Sequence, residues 1–362
     1  MLCPRTSWVA VEPRPFRPPR ANERPDGPQE SIPPLARRPE DRILGSMNDL
    51  LHSISDPHGI FLRREALAIG IDDLNLARVV RAKVIHRVRH GTYVLGEQWA
   101  PLDDIGRHLI RAKGVLRTAN SELALSHTTA LALLGAPLWD LSLDEVHVTR
   151  LDGRSGRREA GVAQHSGAIL PGDIAETDRV MHTSVTRSAL DLTMITDVEH
   201  SLPVLDHLLH VGAVQHRDLR RAAASRDVWP YTLSTELAVR LADGRSESVG
   251  ESRSRHMFWW GGLPMPVLQY DVVDEYGRTV ARVDFAWPDL GVFLEFDGKE
   301  KYTKYLKDGE SVVDAVLREK KREELICRLT DWRCVRLTWA DLYRPRETVN
   351  YVRSVLAGGP VH

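Results

Sequence analysis

The sequence predicts a multidomain α+β protein, and three observations support this fold class. Residues 47–96 show helical periodicity followed by a short alternating segment, residues 102–242 mix strand and helix patterns, and residues 246–357 place an apolar hairpin between helical segments. The chain has 362 residues, of which 42% are hydrophobic and 27% are charged. This length and composition suit two or three globular domains, each with its own core.

The first 46 residues predict a disordered tail rich in proline and arginine. They hold ten of the chain's 21 prolines, and eight arginines stand against six acidic residues. Because proline lacks an amide donor and breaks helices, we expect no core element here. The alternatives are a linker, a basic arm that touches DNA, or an over-extended gene start with Met47 as the natural first residue.

Residues 47–96 predict a winged helix-turn-helix. The segments MNDLLHSIS, FLRREALAIG and DDLNLARVVRAK predict three helices, the third with Asp72 as its N-cap. The segment VIHRVRHGTYVL alternates and turns at His-Gly, which predicts a two-stranded wing. The side chains of the third helix that are predicted to face inward are Leu74, Ala77 and Val80.

Charge in this region favours a nucleic-acid surface. The whole chain has a formal net charge of −1, so any such surface must be a local patch. Between Arg78 and His90 lie five basic residues and no acidic one, and such a stripe can neutralise phosphates. The alternative is a helical domain whose arginines are only solvated. The DNA-binding residues predicted from charge are Arg78, Arg81, Lys83, Arg87 and Arg89.

Three segments of this region carry a family resemblance. GIFLRREALAIGI, the helix through Arg78 and Val79, and RVRHGTYVL resemble the N-terminal winged-helix domain of AbiEi-type abortive-infection antitoxins. The resemblance implies DNA binding by the third helix, with Asn75, Arg78 and Arg81 as the base or phosphate contacts. It further implies a regulatory role in a toxin–antitoxin system of bacterial defence. It also implies a cognate toxin as a protein partner. The segments SHTTALALLG and TSVTRSALDL extend the resemblance to the antitoxin's second domain, built of strands and helices.

The middle domain shows no evident chemistry. Ser126 is predicted to N-cap the helix that follows it. EVHVTRL and GVAQHSGAI alternate as strands joined by a turn, so that His147 and His165 could face each other. Two such histidines could bind a metal, but no cysteine or third ligand accompanies them, and we interpret them as structural. Arg187 is predicted to form a buried salt bridge with Asp191.

Cysteine usage and hydropathy predict the compartment. Cys3, Cys327 and Cys334 form no CxxC pair and no even framework, which argues against a cysteine zinc site or a disulfide scaffold. The sequence shows no membrane-length apolar run and no signal-peptide core. We expect a cytoplasmic protein with no membrane association.

The stretch RVDFAWPDLGVFLEFDGK, residues 282–299, predicts a β-hairpin that carries acidic residues within apolar strands. A carboxylate in such a setting needs a counter-charge, hydrogen bonds or a metal, and two side by side favour Mg²⁺ or Mn²⁺. The segment SESVGESRSRHMFWWGGLP predicts a helix with Glu247 and Glu251 on one face. The alternative is a solvated strand end with an Asp-Gly turn.

The order Glu251, Asp284, Glu295, Asp297, Gly298 resembles the PD-(D/E)XK nucleases, and in particular the small domains related to very-short-patch repair endonucleases. The resemblance implies a C-terminal restriction-endonuclease-like α/β domain over residues 246–357. It implies Glu251, Asp284, Glu295 and Lys299 as catalytic residues, and Mg²⁺ or Mn²⁺ held by Asp284 and Glu295 with Glu251 and Asp297 nearby. Two residues after Glu295, where the family commonly has lysine, this chain has Asp297.

Three functional hypotheses follow from these patterns. The leading hypothesis is a DNA-binding protein whose C-terminal domain is a metal-dependent DNA endonuclease. The alternative is a non-enzymatic transcriptional regulator or antitoxin in which an inactive nuclease-like fold serves as a binding platform. The aspartate at position 297 favours this alternative. A third hypothesis is a defence component that recruits a neighbouring toxin.

Overall fold

Three β-sheets, each with its own helices, make up the part of the chain that the structure describes. The computed structural model describes residues 39–226, 232–298 and 312–361. Most of the predicted tail therefore lies outside the described residues, as does Lys299. From Met47 onward the chain forms one compact unit. Among the described helices, none is both long and apolar enough to span a membrane.

The first sheet belongs to the region predicted as a helix-turn-helix, and its strand order is β1-β3-β2, with both pairings antiparallel. The elements are α1 (Pro39–Ile54), β1 (Ile60–Leu62), α2 (Arg63–Ala68), α3 (Asp73–Arg81), β2 (Ile85–Arg89), β3 (Thr92–Leu95) and α4 (Gly96–Trp99). Helix α1 begins at Pro39 and not at Met47. Proline suits the first position of a helix because the amide it lacks would have no partner there.

The second predicted helix is shorter than expected because its first residues form a strand. Ile60, Phe61 and Leu62 are all buried and pair with β3, and the Phe61 ring stacks on Tyr93 with centroids 5.6 Å apart. The helix starts only at Arg63. Burial of three consecutive apolar side chains between the sheet and the helices accounts for the strand.

The inward face predicted for α3 is wrong. Leu74 is 76% exposed and Ala77 is also exposed, whereas Leu76 and Val79 are the buried residues of this helix. Asp72 is the N-cap as predicted, and its side chain accepts a hydrogen bond from the Asn75 amide at 2.8 Å. This cap fixes where the helix begins. Leu76 and Val79, which are three residues apart and therefore on one face of the helix, pack into the core.

Helix α5 joins the first region to the middle of the chain. It spans Asp104–Thr118, and its Arg117 donates to Glu65 Oε1 at 2.7 Å and to Asp56 Oδ2 at 3.1 Å. Gly114 of the same helix lies so close to β3 that an added Cβ would meet Thr92 Cγ2 at 2.9 Å. The boundary predicted between residues 96 and 102 is therefore bridged by partly buried ion pairs and by the close packing of Gly114 on Thr92.

The middle region contains a six-stranded mixed sheet of order β6-β7-β5-β4-β9-β8 and a group of helices. Its strands are β4 (Leu123–Leu125), β5 (Val146–Arg150), β6 (Arg158–Glu159), β7 (Val162–His165), β8 (Ile174–Thr177) and β9 (Val180–Thr183). Its helices after α5 are α6 (His127–Leu133), α7 (Val185–Thr193), α8 (Val198–His210), α9 (His216–Ala224) and α10 (Thr232–Leu241). Leucine, valine and alanine side chains of α6 to α10 form one core cluster.

Two predictions for this region need correction, and one is confirmed. Strands β5 and β7 pair in parallel, because the short β6 returns the chain antiparallel to β7 before β7 begins. Ser126 holds the N-cap position of α6, but its hydroxyl makes no capping bond and lies 2.9 Å from His127 Nδ1. The predicted ion pair is present, with Arg187 Nε donating to Asp191 Oδ1 at 2.7 Å.

The C-terminal region runs helix, three strands, helix, strand. Its sheet has the order β10-β11-β12-β13, in which β12 and β13 are parallel and the other pairs antiparallel. The elements are α11 (Val249–Trp260), β10 (Val267–Val273), β11 (Thr279–Trp287), β12 (Val292–Asp297), α12 (Val312–Thr330), β13 (Arg333–Thr338), α13 (Trp339–Leu342) and α14 (Pro345–Leu356). The predicted hairpin is present, with a 3₁₀ turn at Pro288–Leu290.

Helix α11 also differs from the prediction at its start. It is N-capped by Ser248, so Glu247 lies ahead of the helix and does not share a helical face with Glu251. The helix packs against α8 through two ion pairs. Arg253 Nη2 lies 2.7 Å from Glu199 Oε1, a pair in which the arginine is buried and the glutamate is partly exposed. Arg255 pairs with Asp206, and both of these side chains are almost fully buried.

Candidate functional site

The basic stripe predicted from the sequence lies on α3 and on the β2–β3 hairpin. Arg78, Arg81, Lys83 and Arg87 are exposed, whereas Asn75 and Arg89 are half-buried. Three of these polar groups have local partners: Arg78 Nη1 donates to Asn75 Oδ1 at 3.3 Å, and Arg87 Nη2 lies 3.2 Å from His90 Nδ1. No acidic residue lies between positions 78 and 90, so the stripe keeps its positive charge.

Two further features mark this surface. Arg89 donates to Thr118 Oγ1 at 3.4 Å, and burial lowers the pKa of its guanidinium, so this residue helps to hold the hairpin against α5. Leu74, at the start of α3, is a large apolar side chain left mostly exposed beside the arginines. A helix that presents both cations and an apolar tip can contact phosphates and base edges.

The second candidate site lies on the C-terminal sheet. The structure brings Asp284 and Glu295 to adjacent strands, since Phe285 pairs with Leu294 in the antiparallel register of β11 and β12. Asp284 Oδ2 accepts the Phe296 amide at 2.8 Å. Glu295 is 7% exposed, and its Oε1 accepts from Arg322 Nη1 at 2.6 Å while its Oε2 lies 3.5 Å from Arg336 Nη2. Burial raises the pKa of Glu295, and the two arginines oppose that shift.

Glu251 is also buried, but its bonds hold the start of α11. Its Oε1 accepts from Ser248 Oγ at 2.7 Å and its Oε2 from the Glu247 amide at 2.9 Å. Gln269 Nε2 donates to the same Oε2 at 3.0 Å. Glu251 therefore serves as a helix cap that is also linked to β10.

Gln269 shows backbone strain at this site. Its φ is +49°, an uncommon conformation for a residue other than glycine. The register of β10 and β11 places it opposite Asp284, between the pairs Leu268–Phe285 and Tyr270–Val283. Such strain is often found where a binding or catalytic group is held in place.

The predicted metal ligands do not form a tight group. Among the described residues, no three of Glu251, Asp284, Glu295 and Asp297 bring carboxylate oxygens within 4.8 Å of one another. Asp297 is half-buried at the end of β12. The positive partners of Glu295, Arg322 on α12 and Arg336 on β13, were not predicted, because they follow it by 27 residues or more and no local pattern marks them.

The one group of potential ligands that does meet this distance in the described part of the chain is His127, His147 and His165. The predicted approach of His147 and His165 is confirmed, with Nδ1 of the first 2.9 Å from Nε2 of the second. The sequence did not predict His127 as the third member of this group, because His127 lies on α6 and not on either of the two strands that carry His147 and His165.

Comparisons with known proteins bear on part of the chain. Residues 48–96 match a family model described as AbiEi_4, "Transcriptional regulator, AbiEi antitoxin". Two uncharacterized proteins of Mycobacterium tuberculosis, one from strain CDC 1551 and one from strain H37Rv, are each 31% identical over 125 residues. The matched stretch is 31% of this chain and 42% of each relative, so the chain spans less than half the length of these relatives. The resemblance of residues 47–96 to antitoxin regulators is thereby supported, and that of residues 246–357 to nucleases stays a prediction.

Proposed function

We propose that this chain is a DNA-binding transcriptional regulator of the AbiEi antitoxin kind. The observation that carries the proposal is the match of residues 48–96 to that family, on the segment that displays the exposed basic stripe. In the proposal, the order α1, β1, α2, α3, β2, β3 is a winged helix-turn-helix. Helix α3 enters the major groove, and the β2–β3 wing lies along the phosphate backbone. A cognate toxin would be the second partner.

The physical basis of this binding is local charge. Each phosphate neutralised by a lysine or arginine releases counterions, so affinity falls as salt rises, with a log–log slope of about −0.9 per contact. Arg78 and Arg81 lie three residues apart on the exposed side of α3, and Lys83 follows its end. Arg87 extends the stripe onto the wing.

The test is DNA affinity as a function of salt for the Arg78→Glu/Arg81→Glu variant. We expect affinity to fall about 10- to 100-fold and the slope to flatten by about 1 per lost contact. The matched control is Arg217→Glu/Arg220→Glu, which reverses two exposed arginines at the same spacing on α9. Equal slopes in the wild type and the α3 variant would contradict the proposal.

A second candidate function is a metal-dependent DNA endonuclease in the C-terminal region. The observation that favours it is the placement of Glu251, Asp284 and Glu295 on a helix and two adjacent strands around the strained Gln269. In this candidate, Mg²⁺ or Mn²⁺ would be held by Asp284 and Glu295, and a basic side chain such as Lys299 would help to orient the attacking water. The ion pairs of Glu295 with Arg322 and Arg336 compete with such a metal.

The test of this candidate is cleavage of supercoiled plasmid with Mg²⁺ or Mn²⁺. An endonuclease would nick the plasmid, and Asp284→Ala/Glu295→Ala would abolish nicking. Asp289→Asn, an exposed acidic residue in the 3₁₀ turn between the two strands, serves as the control. If a preparation that binds DNA does not nick the plasmid, the endonuclease candidate is rejected and the transcriptional regulator is the function that stands.

A further inference from the structure

Three buried or half-buried histidines converge in the middle region, away from both sites described above. His127 begins α6, His147 lies on β5 and His165 ends β7. One ring nitrogen from each lies within 4.8 Å of the other two. The rings of His127 and His165 stack with centroids 3.7 Å apart, and those of His147 and His165 with centroids 5.2 Å apart.

From this geometry we propose that His127, His147 and His165 bind one divalent transition-metal ion, with Zn²⁺ as the fitting ion. Three imidazoles suit Zn²⁺, and Zn–N bonds of about 2.0–2.1 Å in a tetrahedral site place ligand nitrogens about 3.3 Å apart. His147 Nδ1 and His165 Nε2 lie 2.9 Å apart, so a shift of a few tenths of an ångström suffices for that pair.

The backbone holds the ligands in place before any ion arrives. The His147 amide donates to Thr129 Oγ1 at 2.8 Å, and the same hydroxyl oxygen lies 2.9 Å from His108 Nε2. His127 has φ of +51°, a strained conformation for a residue other than glycine. The parallel pairing of β5 and β7 brings His147 and His165 to one face of the sheet, and the start of α6 adds the third ring.

An outer-shell carboxylate lies beside the cluster. Asp191 is fully buried, and its Oδ2 has no hydrogen-bond partner among the described residues although it lies 3.9 Å from His127 Nδ1. If His127 Nδ1 carries the proton, it could donate a hydrogen bond to Asp191 Oδ2 or to Ser126 Oγ. The lone pair on His127 Nε2 would then be available to a metal ion. Carboxylates that orient metal-binding histidines in this way are common second partners of such sites.

The charges around the cluster permit a cation. The guanidinium groups whose charge acts on these histidines are Arg187 and Arg158, and both are paired with carboxylates. Arg187 is paired with Asp191 at 2.7 Å and with Asp173 at 2.8 Å, and Arg158 with Glu145 at 3.0 Å. Burial is the main reason that the pKa of His147 and that of His165 are both lowered to about 4, so both rings are neutral ligands at pH 7. His165 is only half-buried, so the cluster is in contact with solvent on that side, and a tetrahedral ion held by three histidines would take water or a partner's side chain as its fourth ligand.

The experiment measures Zn²⁺ binding to the full chain after chelator treatment and dialysis. Titration against a chromophoric chelator, with metal content measured by mass spectrometry, should give one Zn²⁺ per wild-type chain. His147→Gln and His165→Gln should weaken binding at least about 100-fold, since even outer-shell changes cost about 10- to 100-fold. His182→Gln is the matched control, a buried histidine on β9 whose ring nitrogens contact Thr177 and the Thr183 carbonyl.

A second measurement uses the wild type alone, in case a variant fails to fold. Co²⁺ in place of Zn²⁺ should give the visible absorption of a tetrahedral imidazole site, and Zn²⁺ should displace it and raise Tm. Absence of stoichiometric Zn²⁺ binding and of the Co²⁺ spectrum would overturn the proposal. Zn²⁺ affinity in His165→Gln equal to that of wild type would also overturn it, whatever the outcome of the DNA-binding tests.

Discussion

Glu295 shows how individual residues decide what the C-terminal site can do. Its carboxylate is almost fully buried, and it is balanced by Arg322 and Arg336 from two different elements. A buried carboxylate needs such partners because its desolvation is costly. The same two guanidinium groups occupy the oxygens that a metal ion would need. Metal binding by Glu295, which the candidate nuclease requires, therefore depends on whether Arg322 can move away.

Removal of Arg322 should destabilise the chain in a pH-dependent way. We expect Arg322→Met to lower the free energy of unfolding by about 1–3 kcal/mol at pH 7, since the arginine is partly exposed but its partner is not. Burial already raises the pKa of Glu295 above its ordinary 4.5, so the folded state binds its proton more readily than the unfolded chain does. The deficit should thus be largest at neutral pH, shrink as the pH falls through the raised pKa of the Glu295 carboxyl, and be smallest at pH 4, where this carboxyl is mostly protonated in both folded proteins.

Denaturant unfolding at pH 7 and pH 4 would measure this effect. Arg328→Met, an exposed arginine on the same helix, is the control and should change the free energy of unfolding by less than about 0.5 kcal/mol. A deficit for Arg322→Met that is the same at both pH values would show that the arginine acts through packing and not through the charge of Glu295.

Residue roles that depend on local pattern were predictable, and those that depend on distant contacts were not. Asp72 as a cap and the Arg187–Asp191 pair follow from spacing along one helix, and both are present. The convergence of the three histidines depends on the parallel pairing of β5 and β7, which joins His147 and His165, and on the position of α6, which adds His127. No local pattern shows either. Glu251 was predicted as a ligand, but its sequence context after Ser248 equally encodes a helix cap.

At the scale of elements, the contact between α11 and β12 constrains the C-terminal region most tightly. Gly250 lies against the Phe296 ring, and an added Cβ would overlap that ring. Phe296 is buried and forms part of the core cluster beneath the sheet. The helix that carries Glu251 can therefore approach the strand that carries Glu295 only with glycine at this position.

Gly250→Ala should destabilise the chain, although alanine is the better helix former. The gain of up to about 1 kcal/mol in helix propensity is outweighed by the overlap with Phe296, which should cost about 1–3 kcal/mol or more. Thermal unfolding would show a lower Tm for this variant, and Gly250→Ala/Phe296→Leu should recover part of the loss. An unchanged or raised Tm for Gly250→Ala would contradict the close packing of α11 on β12.

The order of elements could largely be read from the sequence, but their limits and faces could not. Alternation identified the β2–β3 hairpin, β-branched and aromatic residues on either side of a Pro/Gly turn identified the β11–β12 hairpin, and both hairpins form. The predicted buried face of α3 was wrong, because Leu76 and Val79 pack into the core and Leu74 does not. Helix periodicity allows either stripe when apolar residues are this frequent, and the choice depends on the packing of the whole domain.

At the scale of the whole molecule, ion pairs that are partly or almost fully buried link regions that the sequence predicts as separate domains. Arg117 ties α5 to Glu65 and Asp56 of the first region, and Arg255 ties α11 to Asp206 of α8. Burial raises the pKa of Asp206, and Arg255 is the charge that chiefly opposes the shift. These links explain why the described chain from Met47 onward forms one compact unit.

The proposed regulator and the candidate nuclease place DNA on different regions of this unit. Hydrogen exchange with and without DNA, followed by mass spectrometry in buffer of low salt, locates the contact directly. We predict slower exchange at α3 and the β2–β3 hairpin, residues 73–95, with little change in β11 and β12. Protection confined to the C-terminal sheet, with none between residues 73 and 95, would contradict the central claim that this basic stripe is the DNA-binding surface.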